Sequence, residues 1–423
     1  MRILFVSDAP QILGGVQIVM QQTSSGLADL GCAVAVLRPN PSQAVPDYSG
    51  TATVYALDTS TQRSIDVSLS ESLRRFKPDI VHVTAQRSPL VNRVDKVVRN
   101  LPWVLSVYNL PPFEVPIGRF YGRDRLYYHA RNARYFPNAL VWAIRLRQWR
   151  FAWVICHSQQ MQSRLRRYGC RREQITLSPH GYSGTASTPG CGPDCGSPFD
   201  GRGHPHLLTI AGIIHHKGLH DSLRAIANLA EVFPHFSYLI IGGKREEGYA
   251  SYLEALVTRM GIRSHVSLLY DASEELKWSA LRDTDLYIQP SHEEGFCLSF
   301  LDAAMAVPRL LGTTAAEMPF IAEKDPYCGM VAPKDVCGLR TEIIRLLNTT
   351  VSVRELDARR VRLREKYSWR TASVELFSLY EELLRRPADQ AVRTTRRKPL
   401  EIFSSPPGTG VVEYIKRNDE IQI

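Results

Sequence analysis

The residues from Ser291 to Ala306 place a carboxylate at a junction where a strand runs into a helix. The apolar run 286–288 predicts the strand, and Pro308 should end the helix that follows the turn. The first N–H groups of a helix have no partner inside it, so they point toward an anion bound above. Here those N–H groups belong to Phe296, Cys297 and Leu298.

Two carboxylates flank this helix start. Glu294 stands just before the helix, and Asp302 lies eight residues later on a similar face. Carboxylates are strong acceptors for paired sugar hydroxyls, and the amides suit phosphates, so the stretch fits a nucleotide sugar. An acidic loop before a plain core helix is the alternative, and the residue types alone do not decide between the two.

These residues lie in a chain built from strand–glycine–helix units, and the pattern starts at two places. The first starts with the apolar run 3–6, breaks at Gly14 and Gly15, and continues as a helix over 16–30. The second starts at 207–210 and continues as a helix over 219–233. Uninterrupted apolar runs that alternate with helices predict parallel sheets covered on both faces. Further runs of this kind are 33–37, 80–83, 103–107, 153–156, 238–241 and 266–269.

We therefore expect an α/β fold of two doubly wound, Rossmann-like domains that bind ligand in the cleft between them. The expected boundaries are 1–182 for the first domain, 183–206 for a linker rich in glycine and proline, and 207–368 for the second domain. Residues 369–386 predict a final helix that returns toward the first domain. Residues 387–423 are basic and polar, which is typical of a weakly ordered tail.

The composition is that of a folded protein large enough for two domains: 423 residues, 44% hydrophobic and 22% charged. No apolar run reaches the ~18 residues of a bilayer span, and the first run is too short for a signal peptide. These features predict a cytoplasmic location. Eight cysteines in so long a chain indicate no disulfide framework; for Cys191 and Cys195 an ordinary loop is favoured over a zinc or disulfide site.

The net charge of +10 is concentrated in residues 115–172. This basic segment holds thirteen arginines and a single acid, Asp124, so it carries +12 and the rest of the chain is slightly acidic. It predicts an anionic partner: an anionic membrane surface or an acidic acceptor is favoured over nucleic acid, and membrane contact would place the protein at the inner face. For a predicted helical stripe, packing on its own domain is favoured over a position in a membrane interface. The stripe consists of Trp142, Leu146, Trp149 and Trp153.

Five motifs in order make the chain resemble family 4 of the retaining glycosyltransferases (group 1), which have the GT-B fold. Glu294-Gly295-Phe296, with Asp302, resembles the Glu-x7-Glu signature of that family. Gly14-Gly15 resembles the glycine-rich loop of its acceptor domain, and 154–158 with 178–181 resemble the end of that domain. The donor domain is matched by Gly212 to Gly218, Gly242-Gly243 and Gln289-Pro290-Ser291. The resemblance extends from Met1 to about Arg386.

The resemblance implies a role for each matched residue. Lys217 would contact the donor diphosphate and stabilise charge on the leaving group, and Glu294 would contact donor-sugar hydroxyls. Asp302 would hold the ribose, and the amides from Gly295 onward would meet sugar and phosphate. The other residues that the resemblance brings to the donor site are Gly14, Gly15, Gly212, His216 and Tyr270, the last near the base.

Three positions depart from the family pattern. Asp302 is shorter than glutamate by one methylene, which predicts a longer or water-bridged ribose contact. Ile213 and its neighbours stand where the family usually has an arginine, so His216 or Arg245 would supply the second cation. Tyr108 stands where a histidine is common and offers a hydroxyl without a charge.

The resemblance implies a retaining transferase that uses a nucleotide-diphosphate sugar, a glycan or lipid-linked acceptor and front-face attack. We expect no cofactor and no catalytic metal, on the ground that no Asp-x-Asp pair accompanies these motifs. Three alternatives stay open: a sugar-nucleotide 2-epimerase of the same fold, a catalytically weak binding subunit, and an NAD-linked dehydrogenase. The last would need Gly-x-Gly-x-x-Gly after the first strand, which Gly14-Gly15 does not supply.

Overall fold

The computed structural model describes residues 1–7, 15–39, 50–84, 88–108, 140–149, 151–182, 196–243 and 247–386. Two parallel β-sheets with helices packed against them form this part of the chain. Both sheets belong to one compact unit, residues 1–393. The predicted α/β fold with two Rossmann-like sheets is thereby confirmed.

The first sheet has seven parallel strands. They are β1 (Arg2–Val6), β2 (Ala33–Pro39), β3 (Thr53–Leu57), β4 (Ile80–Val83), β5 (Trp103–Val107), β6 (Trp153–Cys156) and β7 (Ile175–Leu177). Their order is β3-β2-β1-β4-β5-β6-β7. Every residue of β4 and β5 is buried, because apolar runs in a parallel sheet are covered on both faces.

Five helices accompany this sheet in the described ranges. They are α1 (Gly15–Asp29), α2 (Gln62–Phe76), α3 (Ser88–Val97), α4 (140–148) and α5 (Gln159–Arg167). Thr61 begins α2 by accepting from the Ser64 N–H, and Ser158 begins α5 in the same way. The predicted stripe is wrong at its last member: Trp153 lies in β6, because the apolar run 153–156 is used by the sheet.

The second sheet has six parallel strands. They are β8 (His206–Ile210), β9 (Ser237–Gly242), β10 (Val266–Tyr270), β11 (Leu286–Gln289), β12 (Arg309–Thr313) and β13 (Cys328–Val331). Their order is β10-β9-β8-β11-β12-β13. Successive strands are added on one side of β8 up to β10 and on its other side from β11 onward, and ligands of open α/β sheets bind at such a switch point.

Eight helices follow in the second half of the described chain. They are α6 (Leu219–Ala225), α7 (Glu247–Arg259), α8 (Glu274–Arg282), α9 (Leu298–Ala306), α10 (Met318–Ile321), α11 (Val336–Leu347), α12 (Val353–Lys366) and α13 (Trp369–Arg385). The predicted helix over 219–233 is wrong beyond Ala225, where a turn and a short 3-10 helix replace it. Leu223, Ile226 and Leu229 are all buried at a spacing of three, which suits 3-10 geometry rather than an α-helix.

The final helix α13 packs on α1 and on the first sheet. Tyr380 is fully buried there, and its hydroxyl lies 2.5 Å from Nδ1 of His82 in β4. Oγ of Ser106 in β5 lies 2.6 Å from the other ring nitrogen of His82, Nε2. None of the helices in the described ranges combines the length and the apolar content that a bilayer span requires.

Candidate active site

Two loops meet at the carboxyl edge of the second sheet. After β8 the chain turns through a short 3-10 helix, His215–Lys217. After β11 it runs through residues 290–297 into α9. Because β8 and β11 are paired parallel strands, the loops at their carboxyl ends lie side by side. This edge is where the geometry of an open α/β sheet places a ligand.

Lys217 and Glu294 form an ion pair between these loops. The Lys217 Nζ lies 2.7 Å from each carboxylate oxygen of Glu294. The two side chains are only 19% and 7% exposed. Burial acts to lower the pKa of Lys217, but the adjacent Glu294 carboxylate outweighs burial and raises it above its ordinary value. Lys217 is therefore a fixed cation near neutral pH.

Polar side chains from β11 and the following loop hold the Glu294 carboxylate. Ser291 Oγ donates to Oε1 of Glu294 at 2.7 Å, and Gln289 Nε2 donates to the same oxygen at 3.3 Å. The Tyr287 hydroxyl donates to Oε1 of Gln289 at 2.7 Å and so fixes that side chain. The resemblance included Gln289 and Ser291 but gave them no role. Polar residues at the end of an apolar strand are the signal that could have indicated one.

A buried histidine–aspartate pair lies behind the ion pair. His292 Nε2 lies 2.6 Å from Oδ2 of Asp221, in the first turn of α6, and both residues are over nine-tenths buried. Burial lowers the pKa of His292 to about 4 despite this carboxylate, so the ring is neutral and its Nε2–H donates a hydrogen bond to Asp221. The His292 backbone N–H also donates to the His216 carbonyl at 2.8 Å. Both bonds tie the loop of Glu294 to the turn of Lys217.

Glycine is required at two contacts of these loops. A Cβ on Gly218, which has φ +66°, would lie 2.1 Å from the Pro290 carbonyl oxygen. A Cβ on Gly295 would lie 2.2 Å from the carbonyl oxygen of Tyr108, which follows β5 in the first sheet. The loop carrying Glu294 therefore touches the carboxyl edge of the first sheet.

Helix α9 begins beside the ion pair. Its N-cap is Cys297, with φ +85°, and within the described ranges the backbone N–H groups of Phe296 and Cys297 donate to no backbone acceptor. Gly15 at the start of α1 lies over this helix start, since a Cβ there would be 3.6 Å from Cδ1 of Leu298. Asp302 is half-buried in the middle of α9.

A column of aromatic rings borders the contact at Gly295. His157 stacks on Tyr108 with ring centroids 4.6 Å apart, and His180 stacks on His157 at 4.0 Å. His180 also lies 5.7 Å from Trp369 at the start of α13 and meets the edge of Phe296 at 4.9 Å. Burial lowers the pKa of His157 to about 4 and that of His180 well below its ordinary value, so both rings are neutral.

The remaining predicted residues differ in their distance from the ion pair. Gly212 and His216 are half-buried on the chain that leads to Lys217. Tyr270 ends β10, and three inter-strand spacings place β10 about 14 Å from β11. The Tyr270 hydroxyl donates to Glu254 at 2.6 Å. Ile213 is fully buried and supplies no charge. Outside the described residues lie Gly14, Arg245, Cys191 and Cys195.

No catalytic metal was expected because the sequence was taken to lack an Asp-x-Asp pair, and that reason is wrong. Asp283-Thr284-Asp285 is an Asp-x-Asp pair in the sequence. It directly precedes β11, so it lies at the amino end of that strand, opposite the edge that carries Glu294. There Asp285 accepts from the His206 backbone N–H at 2.7 Å. The expectation of a reaction without a metal stays a prediction.

Two family models match consecutive parts of the chain. Residues 13–183 match Glycosyltransferase Family 4, and residues 201–355 match Glycosyl transferases group 1. The first match covers most of the first sheet. The second covers the whole second sheet and includes both Lys217 and Glu294.

Similarity to individual curated proteins is lower and partial. MMP alpha-(1->4)-mannosyltransferase from Mycolicibacterium hassiacum is 27% identical over 194 residues, which are 45% of this chain and 46% of the relative. The chain thus matches about half the length of such curated relatives.

Solved structures share the fold over nearly the whole chain. Sucrose-phosphate synthase from Thermosynechococcus elongatus has a TM-score of 0.73 at 18% identity, covering 90% of this chain and 98% of its own. HepE of Anabaena, in complex with UDP and glucose, has a TM-score of 0.67 at 14% identity, covering 90% of this chain and 100% of its own. From the two family matches, which together take in most of the chain, we conclude that it belongs to the glycosyl transferases group 1 family.

Proposed function

We propose that the chain transfers a sugar from a nucleotide-diphosphate sugar to a hydroxyl of a glycan or lipid-linked acceptor, with retention at the anomeric carbon. Membership of the family supports glycosyl transfer. A nucleotide-sugar donor is supported by the fold that this chain shares with HepE, which was solved with UDP and glucose. The observation that carries the proposal furthest is the geometry of the Lys217–Glu294 pair.

Lys217 has one N–H donor that can bind the leaving phosphate. An ammonium group has three N–H donors, and the two oxygens of Glu294 accept two of them at 2.7 Å. The third can donate to a diphosphate oxygen without breaking the ion pair. Cleavage of the anomeric bond leaves negative charge on that phosphate, and a cation already held in place stabilises this charge without reorganisation.

The two oxygens of Glu294 are not equivalent. Oε1 accepts from Lys217, Ser291 and Gln289, whereas Oε2 accepts from Lys217 alone among the described residues. We therefore assign Oε2 as the acceptor for a hydroxyl of the donor sugar. The three donors on Oε1 fix the carboxylate plane, so a sugar that bonds Oε2 is held in one orientation.

The start of α9 supplies the complementary part of the donor site. Backbone N–H groups of Phe296 and Cys297 at a helix start suit phosphate oxygens. In this proposal Asp302 holds the ribose diol, and main-chain groups near Tyr270 bind the base. Gly15 and the chain at Gly212 border the same space.

The reaction proceeds by front-face attack in this proposal. The bond between the anomeric carbon and the diphosphate oxygen breaks, and a bond forms from the acceptor oxygen to the same face of the sugar. The acceptor hydroxyl loses its proton to the departing phosphate. No step uses a metal or a further cofactor, and the products are a glycoside and a nucleoside diphosphate.

Binding measurements on three variants test the assignments within the site. Lys217→Ala should lower both turnover, by about two orders of magnitude or more, and nucleoside-diphosphate affinity. Glu294→Gln should cripple transfer and leave nucleoside-diphosphate binding nearly intact, because Glu294 serves the sugar. Asp302→Asn should weaken binding of the nucleoside diphosphate itself.

Calorimetric titration with UDP, GDP and ADP separates these outcomes. If Glu294→Gln loses nucleotide binding while Asp302→Asn keeps it, the two roles are assigned wrongly. If Lys217→Ala folds and turns over at a near-normal rate, Lys217 is not the stabiliser of the leaving group. Conversion of the nucleotide sugar without any acceptor would identify the 2-epimerase instead.

A further inference from the structure

The side of α4 that faces away from the first sheet is partly apolar. Its exposed apolar residues are Leu140, Val141 and Ile144, with exposures of 41%, 41% and 38%. The opposite side is formed by Trp142 and Leu146, with Trp149 directly after the helix, and these three are 6%, 3% and 5% exposed. The tryptophans thus pack in the core beside the first sheet, and the apolar residues available for an outside contact are the three aliphatic ones.

Two arginines border this apolar side. At about 100° per residue, Leu140, Ile144 and Val141 follow one another around the exposed half of α4, with the exposed Gln148 between Ile144 and Val141. Arg145 lies at one edge of that half and Arg147 at the other, and both are exposed. Long arginine side chains beside half-exposed aliphatic residues are typical of helices that lie in a membrane interface.

Further arginines lie close to the end of α4. The Arg147 guanidinium lies against Gly169, just after α5, since a Cβ on Gly169 would be 2.3 Å from its Nε. Four exposed arginines surround Gly169 in the sequence, and none of them pairs with a carboxylate in the described ranges. They are Arg166, Arg167, Arg171 and Arg172. Glu173 is the single acid between residues 140 and 173.

We propose that this α4 surface, made of Leu140, Val141 and Ile144 with the arginines of α4 and of residues 166–172, docks on an anionic lipid bilayer. The aliphatic side chains enter the boundary between headgroups and acyl chains, and the arginines bind lipid phosphates. The exposed positive charge of Arg166, Arg167, Arg171 and Arg172 selects an anionic lipid surface over an apolar protein partner. The aliphatic residues would have no use against a nucleic acid, whose phosphate backbone binds through charge.

Co-sedimentation of the full chain with vesicles tests the charge. Binding to phosphatidylcholine vesicles that contain phosphatidylglycerol should exceed binding to pure phosphatidylcholine and should weaken as salt rises. Each arginine near an anionic leaflet strengthens binding roughly fivefold, so Arg145→Glu with Arg166→Glu should weaken it at least about 25-fold. The matched control is Arg354→Glu with Arg364→Glu, an equal charge change on exposed residues of α12.

A second pair of variants tests the apolar contact. Leu140→Ser with Ile144→Ser should weaken binding to the same vesicles at least about tenfold, because each methylene removed from water strengthens binding roughly fourfold. Val353→Ser with Val361→Ser is the control, since these valines are 71% and 53% exposed on α12. Circular dichroism establishes that all four variants are folded.

Three results would overturn the proposal. Equal weakening by the α12 controls would mean that net charge or surface hydrophobicity acts without a defined docking surface. Equal binding to neutral and anionic vesicles would exclude a role for the arginines. Retention on RNA that vesicles cannot displace, and that Leu140→Ser with Ile144→Ser leaves unchanged, would assign the surface to nucleic acid.

Discussion

Replacement of Lys217 by methionine should destabilise the fold as well as slow the reaction. Glu294 is 7% exposed, so loss of the ammonium leaves a buried carboxylate without its cation. Breaking a buried pair on one side typically costs about 3–5 kcal/mol. Ser291 and Gln289 still donate to the carboxylate, and Lys217 itself is 19% exposed. We therefore expect the low end, about 3 kcal/mol of unfolding free energy.

A double-mutant cycle isolates the interaction between the two side chains. Glu294→Gln keeps an acceptor for Lys217 and removes only the charge, so we expect a loss of about 1.5 kcal/mol. The double variant Lys217→Met with Glu294→Gln leaves no uncompensated charge. It should lose less than the sum of the single variants, with a coupling energy of about 2 kcal/mol. Urea unfolding at neutral pH measures all four free energies.

A second ion pair in the same chain provides the control. Lys277 lies 2.6 Å from Glu274, but their side chains are 28% and 53% exposed. Lys277→Met should therefore cost no more than about 1 kcal/mol. The reasoning is refuted if Lys217→Met costs no more than Lys277→Met, or if the losses at Lys217 and Glu294 add without coupling.

Further predictions follow from other contacts of the site. Gly295→Ala should lower turnover at least about tenfold, because its Cβ would meet a carbonyl oxygen at 2.2 Å; Gly248→Ala, with open space at Cβ, should leave turnover unchanged in the same assay. Ser291→Ala removes a donor from Glu294 and should raise KM for the donor sugar nucleotide several-fold, which initial-rate kinetics measures. The pKa of His292 is about 4 when folded against an ordinary 6.5, so the stability contributed by the neutral ring is present above pH 6.5 and lost as pH falls toward 4. Urea unfolding at several pH values gives the unfolding free energy as a function of pH. Between pH 4 and 6.5 this free energy should rise less steeply in His292→Asn, by up to about 1.4 kcal/mol per pH unit, and an unchanged pH dependence would contradict the assignment.

Most of the fold could be predicted from apolar runs, whereas several strands could not. The runs that became β1, β4 and β5 are uninterrupted and fully or nearly fully buried. Strand β7 has only three residues, and β12 follows a proline directly, so neither presents a run long enough to distinguish a strand from a loop. The helix predicted over 219–233 ends at Ala225, and apolar residues continue beyond it at a spacing of three, which the sequence does not distinguish from a helical face.

The residues of the candidate site were predicted from the sequence, and their roles stay a prediction, but their contacts could not be predicted. The resemblance identified Lys217 and Glu294 separately, and the family matches confirm the family. Their ion pair joins residues that are 77 positions apart, and only the pairing of β8 with β11 brings them together. In the same way, the residue types of α4 drew attention to its tryptophans. Packing decides which side of that helix is exposed, and that side is aliphatic.

Analysis of the product by NMR tests the central claim most directly. The full chain is incubated with nucleotide sugars, each with and without glycan and lipid-linked acceptors, and the released nucleoside diphosphate is counted. The proposed function predicts one nucleoside diphosphate per glycosidic bond and an anomeric configuration equal to that of the donor. In Lys217→Ala, neither the glycoside nor the nucleoside diphosphate should accumulate. An inverted product, or a nucleotide sugar altered without an acceptor, would contradict it.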